Sequence, residues 1–175
     1  MRTPVRTLIL LSLALPTGVA AQNADRAVTT SLESLYGITK RFVSATAELV
    51  PENLYAFRPT EEVRTMGQIL AHVANAQYLF CSAAAGETSP QQEDYEQTRT
   101  TKARIIDALN SAFAYCDGVY ARTSDRSGAT MRESFLGPMT AAGLLAFNSA
   151  HNYEHYGNLV TYMRINGITP PSSAN

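Results

Sequence analysis

The chain has 175 residues, of which 45% are hydrophobic and 17% charged, with a formal net charge of −1. These values describe an ordinary globular domain and exclude a disordered, collagenous or membrane-embedded chain. The near-neutral balance gives no electrostatic footprint for DNA or RNA, and two cysteines are too few for a disulfide scaffold.

The amino terminus, MRTPVRTLILLSLALPTGVAA, sets Arg2 and Arg6 before an apolar run from Leu8 to Leu15, after which Pro16 leads to small residues at Val19 and Ala21. That pattern predicts a cleaved secretory signal over residues 1–21 and a mature domain over residues 22–175, periplasmic or secreted. The run is too short to span a bilayer, which takes roughly 20 apolar residues, so no stable membrane span is expected after cleavage. Cleavage removes two arginines, leaving 14 − 2 = 12 basic against 15 acidic residues, a net charge of −3. In an oxidising compartment a disulfide between Cys81 and Cys116 is permitted but not required.

After the signal, Val28, Leu32, Leu35, Phe42 and Leu49 recur at helical spacing, with Asn23 available as a cap and Pro51 ending the run. PENLYAFRPTEEVR carries prolines near both ends and reads as a connector. Thr65 and Gln68 then have the spacing of a capping box, opening a second helix that runs through Ala85 to Gly86. GETSPQQEDYEQTR is polar and contains proline, hence a loop; beyond it Ile106, Leu109, Phe113, Cys116 and Tyr120 mark a third helix. SDRSGATMRESFLGPM is a second irregular connector, and Thr140 caps a last helix that stops before Gly167, Pro170 and Pro171. No useful strand pattern appears. The predicted fold is therefore all-α, a four-helix bundle, whose core is the usual place to build a site from facing helices.

All three histidines of the chain lie on polar stripes of otherwise apolar helices. Asn148, His151, His155 and Asn158 share one face of the last helix, and Gln68, His72 and Asn75 share one face of the second. Burying such groups unpaired would cost a few kcal/mol each, so the stripes must face each other, water or a ligand. A divalent metal ion resolves the conflict: His151 and His155 point the same way, and His72 supplies a third nitrogen from the neighbouring helix. Three protein nitrogens leave one position for water or substrate, with Gln68, Asn75, Asn148 and Asn158 placed to orient rings or ligand.

Glu154 flanks that face and reads first as an ion-pair partner, with a fourth ligand or a general base as alternatives. The zinc-peptidase pattern H-E-x-x-H is absent, because the glutamate does not follow the first histidine directly. Cys81, nine residues beyond His72, faces away from the site and reads as packing or half of a disulfide; Cys116 reads as a small buried hydrophobe.

NLYAFRPTEEVRTMGQILAHVANAQYLFC and HNYEHYGNLVTYMRINGITPPSS together resemble the DinB-like superfamily of metal-binding four-helix bundles. The resemblance covers most of the mature chain. It implies a divalent ion, zinc or nickel, on His72, His151 and His155, and since many members are dimers it makes a homodimer one expectation. Some members resemble thiol-dependent transferases or the mycothiol-dependent maleylpyruvate isomerase. The export signal departs from those enzymes, whose thiol cosubstrates are chiefly cytosolic. The leading expectation is an exported metal-dependent enzyme, hydrolase or transferase in type, acting on a small molecule the sequence does not identify. The alternatives are a non-catalytic metal- or ligand-binding protein of the cell envelope, and a bundle whose histidines are merely buried.

Overall fold

The computed structural model describes residues 25–174, so the predicted signal and Asn23 lie outside the described residues. Four long helices carry the fold: α1 (Ala27–Leu49), α2 (Met66–Ala85), α4 (Lys102–Arg122) and α6 (Ala141–Ile165). Two single-turn helices, α3 (Tyr95–Thr98) and α5 (Asp125–Gly128), sit in the connectors, and β1 (Met131–Arg132) pairs antiparallel with β2 (Met139–Thr140). Among the described residues no helix is long and apolar enough to cross a membrane.

Local chemistry sets most of the ends. Thr65 accepts from the Gln68 amide while the Gln68 side chain accepts from the Thr65 amide, completing the capping box, and Gly86 closes α2 at φ 71°, a conformation costly for any residue with a Cβ. Thr101 and Thr140 cap α4 and α6 by accepting from the Arg104 and Gly143 amides. Helix α1 differs. Its N-cap position, Arg26, makes no side-chain cap; instead the Asp125 carboxylate accepts from the amides of Val28 (3.0 Å) and Thr29 (2.8 Å). At its other end Lys102 Nζ donates to the carbonyls of Glu48 (2.6 Å) and Val50 (2.8 Å). Both charges complement the helix dipole, so α1 is capped by groups far away in sequence.

Those contacts also fix topology. The start of α4 meets the end of α1, so the two are antiparallel, whereas Gly67 packs beside Ile105 and Cys81 beside Cys116, making α2 and α4 parallel. His72 faces His151 while Arg64 meets Tyr162, which sets α6 antiparallel to α2. Around the bundle the order is α1, α4, α2, α6. Because α2 and α4 run the same way, the connection from Glu87 to Thr101 must travel the length of the bundle, lying along α2. Bundles with one such long crossover are a known variant of the four-helix plan.

The inward face of α1 is not its Val28–Leu35–Leu49 stripe, which is exposed, but Thr29, Tyr36, Thr39, Val43, Thr46 and Ala47. The buried hydroxyls explain this choice. Tyr36 stacks on Tyr120, with ring centroids 4.1 Å apart, and donates to the Phe113 carbonyl, while Thr39 and Thr46 bond back to their own helix. Thr39 also accepts from Asn152, which accepts from Gln77, which in turn accepts from Asn148; Asn148 further donates to the Tyr120 hydroxyl. This chain of amides ties α1, α2, α4 and α6 together inside a core of Leu, Ile, Val and aromatic side chains.

Cys81 and Cys116 form a disulfide between α2 and α4, both half-cystines fully buried. Cys116 is thus a cross-link rather than the free hydrophobe its place on the apolar stripe suggests. The bridge closes a loop of 35 residues that contains the crossover. Replacing both cysteines by alanine is expected to lower unfolding free energy by about 2–4 kcal/mol. Urea denaturation checks this, and an unchanged midpoint would remove the bridge from any stabilising role.

Candidate metal centre

His72 projects from the middle of α2, and His151 and His155, one turn apart, project from α6 toward it. Their Nε2 atoms converge: His151 Nε2 lies 3.2 Å from His72 Nε2 and 3.1 Å from His155 Nε2. Nitrogens bound tetrahedrally at 2.0–2.1 Å from a zinc-sized ion sit about 3.3 Å apart. The donor set therefore suits one divalent ion, and among the described residues these three histidines form a group able to hold one.

Hydrogen bonds alone do not satisfy the cluster. Each neutral ring carries one N–H and one lone pair. His72 Nδ1 faces Glu96 Oε2 at 3.2 Å, an arrangement in which Nδ1–H donates and Nε2 is left as a bare lone pair. His151 Nε2 then has two close nitrogen neighbours and a single hydrogen or a single lone pair to offer them. The Nδ1 atoms of His151 and His155 are buried with no protein partner. A cation at the centre of the three Nε2 atoms would remove the conflict among those atoms.

Burial also keeps the rings neutral. It pushes His151 down to about 3, helped by His155, His72 and Arg64. His155 is pushed to about 4 by burial, His72 and Arg64, against the opposing pull of Glu154 and Glu96. Burial and Arg64 also lower His72, with Glu96 opposing.

Glu96, on α3, is the residue that sequence reasoning missed. Its carboxylate bridges His72 Nδ1 and Arg64 Nε, 2.8 Å away, fixing the His72 tautomer and ring plane as outer carboxylates do in metal sites. The crossover brings it there, and α2 holds the crossover in place. Asn75, one turn beyond His72, donates to Asp94 (2.6 Å) and accepts from the Tyr95 amide (2.9 Å) and from the side chain of Gln91. Asp94 in turn accepts from the Glu96 amide and caps α3. Asn75 therefore acts on the cluster through the strap rather than by touching a ring.

The other polar stripe residues go elsewhere. Gln68 is committed to the capping box, and the Asn148 amide bonds Gln77 and Tyr120 in the core, not a histidine. Glu154 and Asn158 are exposed and line a recess of about 530 Å³ with Arg64, Glu96 and His155. Glu154, read from sequence first as an ion-pair partner, makes no ion pair among the described residues. On the opposite side His72 and His151 border a larger groove of about 720 Å³. The cluster thus stands between a polar recess and a mostly apolar groove.

The sequence profile of the DinB superfamily matches residues 35–159, well over half of the chain and all three histidines. The chain belongs to the DinB superfamily. It is 25% identical over 125 residues to the uncharacterized protein YjoA of Bacillus subtilis strain 168, covering 70% of this chain and 80% of YjoA. A DinB-like protein from Bacillus cereus ATCC 10987 shares the fold with a TM-score of 0.66 at 19% identity, covering 76% of this chain and 89% of its own. The mycothiol-dependent maleylpyruvate isomerase superposes with a TM-score of 0.62 at 19% identity, covering 75% of this chain and 60% of the isomerase. At these identities the structural likenesses establish the DinB-like bundle and nothing finer.

The depressed histidines carry a sign. Unfolded rings take up protons near pH 6.5 while the folded ones resist, so the metal-free protein is expected to lose stability as pH falls from about 6.5 toward about 4. Above about pH 7 these groups contribute no slope. Thermal melts in chelator at pH 7.5 and 5.0 test it: His151→Gln should shrink the difference, and an equal loss in that variant would assign the slope to other groups.

Proposed function

We propose that the chain is an exported DinB-superfamily protein that binds one divalent ion, zinc or nickel, through His72, His151 and His155, and acts as a metal-dependent enzyme on a small molecule. The convergence of three Nε2 atoms from two helices carries this reading. A bound ion of this kind supplies Lewis acidity toward an electron-rich group of a substrate. Three protein ligands suit an open site, whereas structural zinc sites are usually closed by four. Glu96 and Arg64 hold the His72 ring with its Nε2 lone pair inward. Glu154, exposed beside His155 with neither ion pair nor hydrogen bond among the described residues, is the carboxylate free to take or deliver a proton at the mouth of the polar recess. The isomerase neighbour adds enzyme chemistry to the family background, and hydrolysis or group transfer is the reaction type proposed here.

A second reading, a non-catalytic metal- or ligand-binding protein, draws on one observation: Glu96, the carboxylate that touches the cluster, is already engaged at both oxygens. The buried disulfide supports export, since such bridges persist in oxidising compartments.

Protein purified without a histidine tag is expected to hold about one metal equivalent per chain by elemental analysis, and His151→Ala or His155→Ala to abolish tight binding. Glu96→Gln should weaken metal affinity by about 10-fold while leaving the melting curve of the metal-free protein nearly unchanged. Loading below about 0.2 equivalents after incubation with zinc, nickel and manganese in turn would sink the metal reading. For export, amino-terminal sequencing of fractionated native protein should find a chain starting at or near Gln22; an uncleaved cytosolic chain would reverse that proposal.

A further inference from the structure

The groove beside His72 and His151 is walled by large apolar side chains that the fold leaves open. Leu79 is 47% exposed, Phe147 37% and Phe135 64%, on three separate segments. They gather around Phe80, which is buried and forms the floor: its ring lies 5.7 Å from Phe135, 5.2 Å from Phe147 and 5.4 Å from the imidazole of His151. A chain of ring contacts therefore runs from the hairpin tip between β1 and β2 through Phe80 to an imidazole of the histidine cluster. The crossover closes the other side with Gln91, Gln92, Glu93 and Asp94, a polar rim.

Nothing in the core explains this arrangement. Phe147 and Leu79 stand on the outward flanks of α6 and α2, where a helix of a bundle ordinarily carries polar residues. Clustered exposed apolar groups with a polar rim mark a binding site, and about 720 Å³ is the size of a small-molecule pocket rather than of a protein interface. His72 and His151 line the groove at one end, so an occupant that reaches the cluster must present a group that suits a cation there and apolar surface along the rest.

Resting on the metal reading above, we propose that the substrate is an amphipathic small molecule: an oxygen-rich, metal-binding head at the three histidines and an acyl chain or aromatic body lying on Leu79, Phe80, Phe135 and Phe147. The polar recess on the far side of the cluster, with Arg64 and Glu154, is the wrong chemistry for that body and leaves the apolar groove as its seat.

Hydroxamates of increasing length test the proposal on zinc-loaded protein of measured metal content. Octanohydroxamate should bind at least about 30-fold tighter than acetohydroxamate by calorimetry, since each buried methylene is worth up to about fourfold. The Leu79→Asn, Phe147→Asn double variant should flatten that dependence without changing metal content; both sites are exposed, so the bundle remains folded. Affinity independent of chain length in metal-loaded wild type overturns the proposal. A second arm separates it from the metal reading. In chelator, anilinonaphthalene sulfonate should fluoresce on the wild type and be displaced by decanoate, with binding at least about fivefold weaker in the double variant. Failure to load zinc with a positive dye arm overturns the metal reading and keeps the apolar seat. Zinc loading with no dye binding and flat hydroxamates keeps the metal and overturns the seat.

Discussion

Three imidazoles meeting inside a helical bundle, with His151 Nε2 3.1–3.2 Å from the other two, impose a condition on everything around them. The rings are too close to be charged together, and burial holds two of them at about 3 and about 4. Too few hydrogens are available for the facing nitrogens. The surrounding structure ties α2 to α6 beside the cluster.

Two devices hold α2 in place, and they act on different parts of the molecule. The amide chain Asn148–Gln77–Asn152–Thr39 links α6 to α2 and α1 one turn below the histidines, where the low dielectric strengthens each bond. The disulfide then pins α2 to α4 farther along. The amide chain holds α6 against α2, and the bridge limits the rotation of α2 about its axis. His72 is thereby held facing its partners rather than the solvent. Glu96 completes the arrangement from outside by choosing which nitrogen of His72 carries the proton.

Much of this was readable in the chain, and the boundary between readable and hidden follows the range of the interaction. The capping box at Thr65 and Gln68, the left-handed Gly86 and the Thr140 cap act within four residues, so they announced the ends of α2 and α6. The three histidines announced themselves through helical phase. Asn148 shares nearly the same spacing, yet its amide points to the core, because a stripe 60° wide on one helix straddles two surroundings that only the neighbouring helices distinguish. The inward face of α1 was hidden for a related reason: Tyr36 and Thr39 are buried with hydrogen bonds to partners on α4 and α6, while Leu35 and Leu49 face out. The pairing of Cys81 with Cys116 depends on the relative rotation of two helices, and the place of Glu96 depends on the route of a connector. Neither quantity is local.

The crossover has a consequence for how such a site can change over generations. The three nitrogens come from the interiors of rigid helices, where any insertion would shift the register of an entire core face. The carboxylate that tunes them comes from a polar strap anchored chiefly through Asn75. Loops tolerate substitution and length change far better than packed helices do. Selection can therefore retune the basicity of the His72 ring and the rim of the apolar groove by rewriting roughly a dozen loop residues, with the bundle left as inherited. The permanent and the adjustable halves of the centre are encoded in separate stretches of the chain.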